Sequence, residues 1–253
     1  MRFSLCIIIP LYNHGSTIYQ TVAALEPYGL PVIVVDDGSD QVTQQALEKV
    51  AATFGWVSTL RLPQNVGKGA AVMRGFREAA LSGHTHALQV DADGQHDLAD
   101  IPRFIALAQQ HPTALICGRP IYDASAPASR RYGRLITHAW VWVETLSFAI
   151  GDSMCGFRLY PLDATVALID KVSISSRMAF DIEVVVRLYW SGVPVLNVPT
   201  RVIYPKGGLS HFNLWRDNLR ISCAHTRLVC GMLLRLPLLL WRKLFGATQT
   251  LKA

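Results

Sequence analysis

Short, nearly unbroken apolar runs alternate along this chain with stretches of helical periodicity, and few architectures tolerate that rhythm. The runs SLCIIIP (4–10), PVIVVDD (31–37), HALQVDAD (86–93) and ALICGR (114–119) read as strands, with a weaker one at 57–61. Residues 16–26, 41–53, 67–81 and 98–110 between them read as helices. A strand without polar alternation must be covered on both faces, and alternating strands and helices place the cover there. The pattern predicts an α/β domain with a mainly parallel central sheet and helices on both faces. Beyond about residue 120 the rhythm loosens into a polar, Arg-rich connection, PIYDASAPASRRYGR, and an apolar helix over 133–150. CGFRLYP, MAFDIEVVVRLYWSG and VPVLNVPTRVIYPKGG follow as strand, helix and strand, and 213–245 reads as a long basic helix broken at Pro237.

Four of the strands end in polar clusters: Pro10-Leu11-Tyr12-Asn13, Asp36-Asp37-Gly38-Ser39, Asp91-Ala92-Asp93 and Gly118-Arg119. If the strands are parallel, all four converge on the carboxyl edge of the sheet, where open α/β domains bind their ligands. Two of these clusters, and the Gly-rich NVGKG (65–69), have plainer readings. VDDGS is a simple Asp-Gly turn, NVGKG an N-cap before a helix, and DADGQ an Asx-turn. Together, in one order and at these spacings, they favour a site. Asp91 and Asp93, one residue apart on an extended chain, point to the same side. With Gln95 they offer hard oxygen ligands suited to Mg²⁺ or Mn²⁺, which also take substrate phosphate oxygens. A divalent cation there would remove the repulsion of paired acids and bridge a diphosphate.

IIIPLYN, VIVVDDGSD, NVGKGAAVMRGFREA, VDADGQ, GFRLYP, FDIEVVVRL and GGLSHF occur in one order over about residues 4–210. In this the chain resembles a family 2 glycosyltransferase of the GT-A fold, most similar to the branch that uses dolichol and polyprenyl phosphates. The resemblance implies an inverting, metal-dependent transfer from a nucleoside-diphosphate sugar. By it, Pro10 and Tyr12 line the base pocket, Asp37 with Asp36 behind it accepts hydrogen bonds from the base, and Lys68 sits near the nucleotide. Asp91 orients the ribose and sugar, while Asp93 and Gln95 hold the metal. Arg119 and Arg134 face the acceptor or the diphosphate, with Arg130 and Arg131 as weaker candidates, and Met154–Arg158 matches an acceptor-side segment with cysteine in the usual place of serine. Two departures stand out. That branch tends to carry a lysine after its late serine, whereas here Ser210 is followed by His211 and Phe212, and no QxxRW segment of a processive synthase is present.

Asp181 and Glu183 in FDIE have two readings. Acids favour the first turn of a helix, and either is placed to act as general base for an acceptor hydroxyl. A phosphate acceptor, already an anion, needs no such base. With a titratable histidine in place of the lysine, the expected acceptor is a hydroxyl on a lipid or lipid-linked glycan, the alternative being a polyprenyl phosphate. A phosphorylation receiver also carries strand-end acids and a lysine, but the first strand here ends without acids and the chain is too long. A non-catalytic nucleotide-sugar or membrane-binding scaffold of the same fold is the remaining alternative.

Charge divides the chain. Residues 201–253 hold nine Lys and Arg against the single acid Asp217, a net of +8 out of the chain's +6, so residues 1–200 net −2. The expected organisation is a GT-A domain over 1–212 and a basic amphipathic extension over 213–253. Arg216, Arg220 and Arg227 fall on one helical stripe, and Arg235 and Pro237 interrupt the apolar runs. This predicts docking on an anionic membrane surface without crossing it. No nucleic-acid motif accompanies the charge. Five scattered cysteines without CxxC spacing, and no signal-peptide pattern in MRFSLCIIIPLYN, place the expected enzyme in the cytoplasm, peripheral on the membrane. Nothing in the sequence fixes an oligomeric state.

Overall fold

The computed structural model describes residues 2–121, 128–202 and 214–245. Seven strands form one sheet: β1 (Leu5–Leu11), β2 (Val32–Asp36), β3 (Val57–Arg61), β4 (His86–Gln89), β5 (Leu115–Ile121), β6 (Arg158–Pro161) and β7 (Val195–Arg201). Among the described residues eight α-helices accompany them: α1 (Gly15–Ala23), α2 (Gln41–Thr53), α3 (Lys68–Leu81), α4 (Ile101–Gln110), α5 (Ala128–Thr145), α6 (Leu162–Lys171), α7 (Phe180–Trp190) and α8 (Leu214–Phe245). The strand order is β3-β2-β1-β4-β6-β5-β7. Every neighbouring pair is parallel except those of β6, which runs antiparallel to β4 and β5.

β1 explains why its sequence is apolar throughout. Cys6 and Ile8 face one core with Val72 and Phe76 of α3 and with Val185 of α7. Leu5, Ile7, Ile9 and Leu11 face a second core with Ile18 of α1, Leu47 of α2 and Phe104 of α4. The period-2 alternation of a strand therefore delivers residues to two helical layers, and both must be apolar.

Two expectations change. β4 ends at Gln89, and residues 92–94 turn rather than extend. Gly94 has φ +69° and the Asp93 Oδ1 atom accepts from the Gln95 N–H at 3.0 Å, so a short polar side chain competes successfully with the strand. The helix predicted to break at Pro237 runs unbroken from Leu214 to Phe245. A proline costs about 3 kcal/mol inside a helix. Here Met232 and Leu239 are buried on either side of it, and the Arg242 Nη1 donates to the Trp190 carbonyl at 2.7 Å, so packing holds the helix on through it.

Candidate active site

The strand order reverses between β1 and β4, and the carboxyl ends of β1, β2 and β4 meet at that switch point. Because β6 is antiparallel and its Arg158 pairs with Gln89, the segment preceding β6 arrives at the same edge.

On the β1/β2 side the acids serve the protein itself. Asn13, at φ +53°, donates its N–H to Ser39 Oγ at 3.0 Å and accepts from the Asp40 N–H at 2.9 Å, stitching the two strand ends together. Asp36 is buried and accepts from the Ser39 N–H at 2.9 Å and Arg61 Nη1 at 2.6 Å. Asp37, also buried, accepts from Asn65 Nδ2, the Val66 N–H and the Gly67 N–H, each at 2.8 Å. Three of about four acceptor sites of that carboxylate are thereby spent. The resemblance assigns Asp37 to the donor's base; in the structure it also holds the Gly-rich loop. Burial pushes the Asp37 carboxyl upward, against the pull of the two amides and of Arg177. Pro10 is buried within β1 opposite Val35, and Tyr12 is half-buried at the strand end.

The Gly-rich loop is shaped by contact. Gly67 has φ +114°, and a Cβ there would lie 2.5 Å from the Ser176 carbonyl oxygen; at Gly69 it would lie 2.5 Å from the Phe180 Cβ. α3 then starts with Lys68, whose ammonium sits between two carboxylates: Asp91 Oδ2 at 2.9 Å and Asp181 Oδ2 at 3.0 Å. Burial alone would lower the lysine's proton affinity, but Asp181 and Asp91 raise it above its ordinary range, so Lys68 is a cation. Burial likewise opposes charge on Asp91, yet Lys68 and His96 bring its pKa down to about 2.

Gln89, His96 and Tyr160, which the sequence reading left without a role, complete this cluster together with the 156–158 segment. Gln89 donates Nε2 to Asp91 Oδ1 at 3.3 Å, and its own Oε1 accepts from the Tyr160 hydroxyl at 3.3 Å. The Asp91 N–H donates to His96 Nδ1 at 3.3 Å, which puts a neutral ring's proton on Nε2, 3.7 Å from Asp91 Oδ2. His96 stacks on Phe157 at 4.9 Å. A Cβ at Gly156 would lie 2.6 Å from Asp91 Oδ2. Arg158, fully buried, donates to the Asp181 carbonyl at 2.6 Å. Asp181 Oδ1 is buried with no hydrogen-bond partner. Glu183, by contrast, points away and is consumed by Ser175, Arg187 and Arg227.

Asp93 and Gln95 lie half-buried just beyond Asp91. Asp93 uses Oδ1 in the turn, which leaves Oδ2 for a ligand. Among the described residues no group of three or more His, Cys, Asp or Glu is arranged to hold a metal. With Asp91 committed to Lys68, the donor chemistry fits a hard divalent cation held by Asp93 and Gln95 that completes its shell with substrate oxygens and water.

The two predicted arginines flank one turn. Arg134 of α5 donates to Asp152 Oδ2 at 2.7 Å, and His138 lies 3.2 Å from the same oxygen. Asp152 Oδ1 accepts from the Met154 and Cys155 N–H groups at 2.8 and 2.6 Å. Burial opposes the charge of Asp152, but His138, Arg134 and the Met154 amide hold its pKa near 2. Arg119, exposed at the end of β5, runs past Gly151 with its Cδ 3.2 Å from where a Cβ would stand. Ser210, His211 and Phe212, and the side chains of Arg130 and Arg131, lie outside the described residues.

Comparison with known proteins fits this arrangement. The pattern described as Glycosyl transferase family 2 matches residues 6–175. A dolichyl-phosphate beta-glucosyltransferase of Dictyostelium discoideum is 27% identical over 217 residues, covering 77% of this chain and 64% of its own length. A protein of the same description from Mus musculus is 31% identical over 179 residues, 66% of this chain and 54% of its own length. The chain thus spans about two thirds or less of these relatives. Among solved structures, glucosyl-3-phosphoglycerate synthase from Mycobacterium tuberculosis, in complex with Mn²⁺, uridine-diphosphate-glucose and phosphoglyceric acid, superposes with a TM-score of 0.66 at 16% identity, over 92% of this chain and 79% of that one. A mannosyltransferase from Pyrobaculum calidifontis, in complex with GDP-Man and Mn²⁺, gives 0.58 at 15% identity, over 98% and 77%. These two share the fold. The family pattern covers the sheet from β1 to β6 and every strand-end acid described above, and the chain belongs to glycosyltransferase family 2.

Proposed function

We propose that this glycosyltransferase moves a sugar from a nucleoside-diphosphate donor, with inversion, to a polyprenyl-type lipid phosphate at a membrane surface. The observation that carries the reading is the cluster at the end of β4, where Lys68 joins Asp91 to Asp181 beside the half-buried Asp93 and Gln95. Asp91, charged at neutral pH, has an acceptor oxygen for a sugar or ribose hydroxyl. Asp93 and Gln95 would hold Mg²⁺ or Mn²⁺, which when bound would offset the negative charge of the departing diphosphate. Arg119, exposed beside the 151–155 turn, fits an anionic acceptor.

The acceptor expected from the sequence was a hydroxyl, and half of that expectation rested on Asp181 as base. Its Oδ2 is already occupied by the Lys68 ammonium at 3.0 Å. The dolichyl-phosphate acceptor in the names of the two relatives supports the phosphate instead. A hydroxyl acceptor stays a second reading, because Asp181 Oδ1 is buried without a partner and is an acceptor for a proton. The test is a matrix of UDP-, GDP- and TDP-sugars with Mn²⁺ against polyprenyl phosphate and a lipid-linked glycan. Transfer to the phosphate that survives Asp181→Asn supports the first reading; transfer only to the glycan, lost in that variant, supports the second. No transfer from any donor would leave a scaffold.

A further inference from the structure

Glu183 stands two residues past Asp181, yet its carboxylate turns from the site and is completely buried. It accepts from the Ser175 N–H at 2.6 Å, from Arg227 Nη2 of α8 at 3.2 Å and from Arg187 Nη2 at 3.5 Å. Arg227 Nη2 also donates to Ser175 Oγ at 2.9 Å. The adjoining residues continue the connection. The Ser176 carbonyl accepts from the Ala70 N–H, in the first turn of α3, at 2.9 Å. Arg177 Nη1 donates to Asn65 Oδ1 at 3.0 Å, and Asn65 in turn donates to Asp37. Gly67 closes on Ser176 so tightly that no side chain fits between them.

A carboxylate is expensive to bury unless its partners satisfy it, and the partners of Glu183 come from three separate segments, the 175 turn, α7 and α8. We propose that Glu183 is a positioning residue. With Arg227 it converts the seating of α8 into the position of the 175–177 segment, and through that segment sets the loop from Asn65 to Lys68. This rests on the reading of that edge as the donor side. α8 has other anchors: His225 Nδ1 meets Glu144 Oε1 at 2.6 Å, Arg242 donates to the Trp190 carbonyl, and Ile221, Leu228 and Met232 are buried. Loss of the Arg227 side chain therefore leaves the helix docked and cuts only the connection to the loop.

Hydrogen exchange on the full chain tests this without reference to activity. In Arg227→Ala, amides at 65–70 and 173–177 should exchange about tenfold faster, the loss expected for a charged hydrogen bond, while those of β1, β4 and α8 stay as in the wild type. Arg227→Lys should restore part of the protection. With UDP or GDP and Mn²⁺ as probes, binding should weaken by a similar factor in Arg227→Ala and in Glu183→Gln, with the double variant no worse than the weaker single. Unchanged exchange at 65–70, or faster exchange spread evenly through the sheet, would overturn the proposal. If the wild type bound neither nucleotide, the donor reading would fall, and the exchange pattern would still decide the coupling.

Discussion

Asp93 and Asp37 both lie at strand ends and differ in what they hold. Asp93 is half-buried and makes one local bond, to the Gln95 N–H. Asp93→Ala should abolish turnover and move the thermal midpoint little, and near wild-type rates with an authentic donor would remove its metal role. Asp37 is buried under three bonds from the Gly-rich loop. Asp37→Ala leaves two backbone N–H groups and one amide without their acceptor, which should cost on the order of 3 kcal/mol of stability. The urea midpoint should therefore fall together with nucleotide affinity. A variant of wild-type stability would show that the loop is held by other means. The two acids look alike in sequence because what separates them, the distance to residues 65–67, appears only once the chain is folded.

Elements were legible where local chemistry decides them. α2 occupies 41–53 as expected because Asp40 caps it, accepting from the Thr43 N–H at 2.8 Å. α6, over 162–171, carried no expectation at all, although Leu162, Thr165, Leu168 and Ile169 keep helical spacing on its buried face. The site was legible in its acids and not in its supports. Lys68 meets Asp181 across 113 residues and Tyr160 meets Gln89 across 71, separations at which no spacing rule operates. The 151–155 turn is a further element of this kind, since one carboxylate, Asp152, gathers Arg134 and His138 of α5 and two turn amides. Its folded pKa, about 2, lies below the ordinary value, so its contribution is present above about pH 4 and is lost as pH falls toward 2. That contribution is on the order of 2 kcal/mol. Trp142, whose Nε1 donates to the Ile150 carbonyl beside the turn, reports it. In Asp152→Asn the acid limb of a fluorescence-monitored stability curve between about pH 4 and 2 should flatten. A limb of unchanged slope would assign the acid sensitivity to Asp91 instead, whose pKa is lowered to the same region.

For the whole molecule, the terminal helix carries the prediction of a membrane surface. The sequence suggested a basic stripe turned to an anionic surface. In the structure Arg227 of that stripe reaches Glu183, and further along the helix Arg235 lies 4.9 Å over the Trp190 ring and Lys243 donates to the Leu146 carbonyl. The outward side of the last turns is apolar instead, with Leu234 at 84% and Leu244 at 74% exposed, joined by Trp241 and Phe245. Ile136 on the neighbouring α5 and Phe148 just beyond its end are exposed as well. Exposed apolar side chains gathered on one side of a helix suit a contact with a membrane or a partner. No described helix is long and apolar enough to cross a bilayer; exposed leucines and an aromatic pair on one helix side suit an interfacial depth. Apolar burial, not charge alone, should then hold the chain to a membrane, and each basic residue near an anionic surface adds about 1 kcal/mol. In flotation with phosphatidylserine vesicles, binding should weaken in high salt without vanishing. Leu234→Glu with Trp241→Glu should abolish it, because two charges at that depth are disfavoured by about 2.5–3.5 kcal/mol each toward the bilayer centre and less at its edge. Arg216→Ala, on the exposed first turn, should only weaken binding modestly at low salt and flatten the salt dependence. Absence of flotation at low salt, with a concentration-dependent dimer that the double glutamate variant abolishes, would give this face to a second copy of the chain instead.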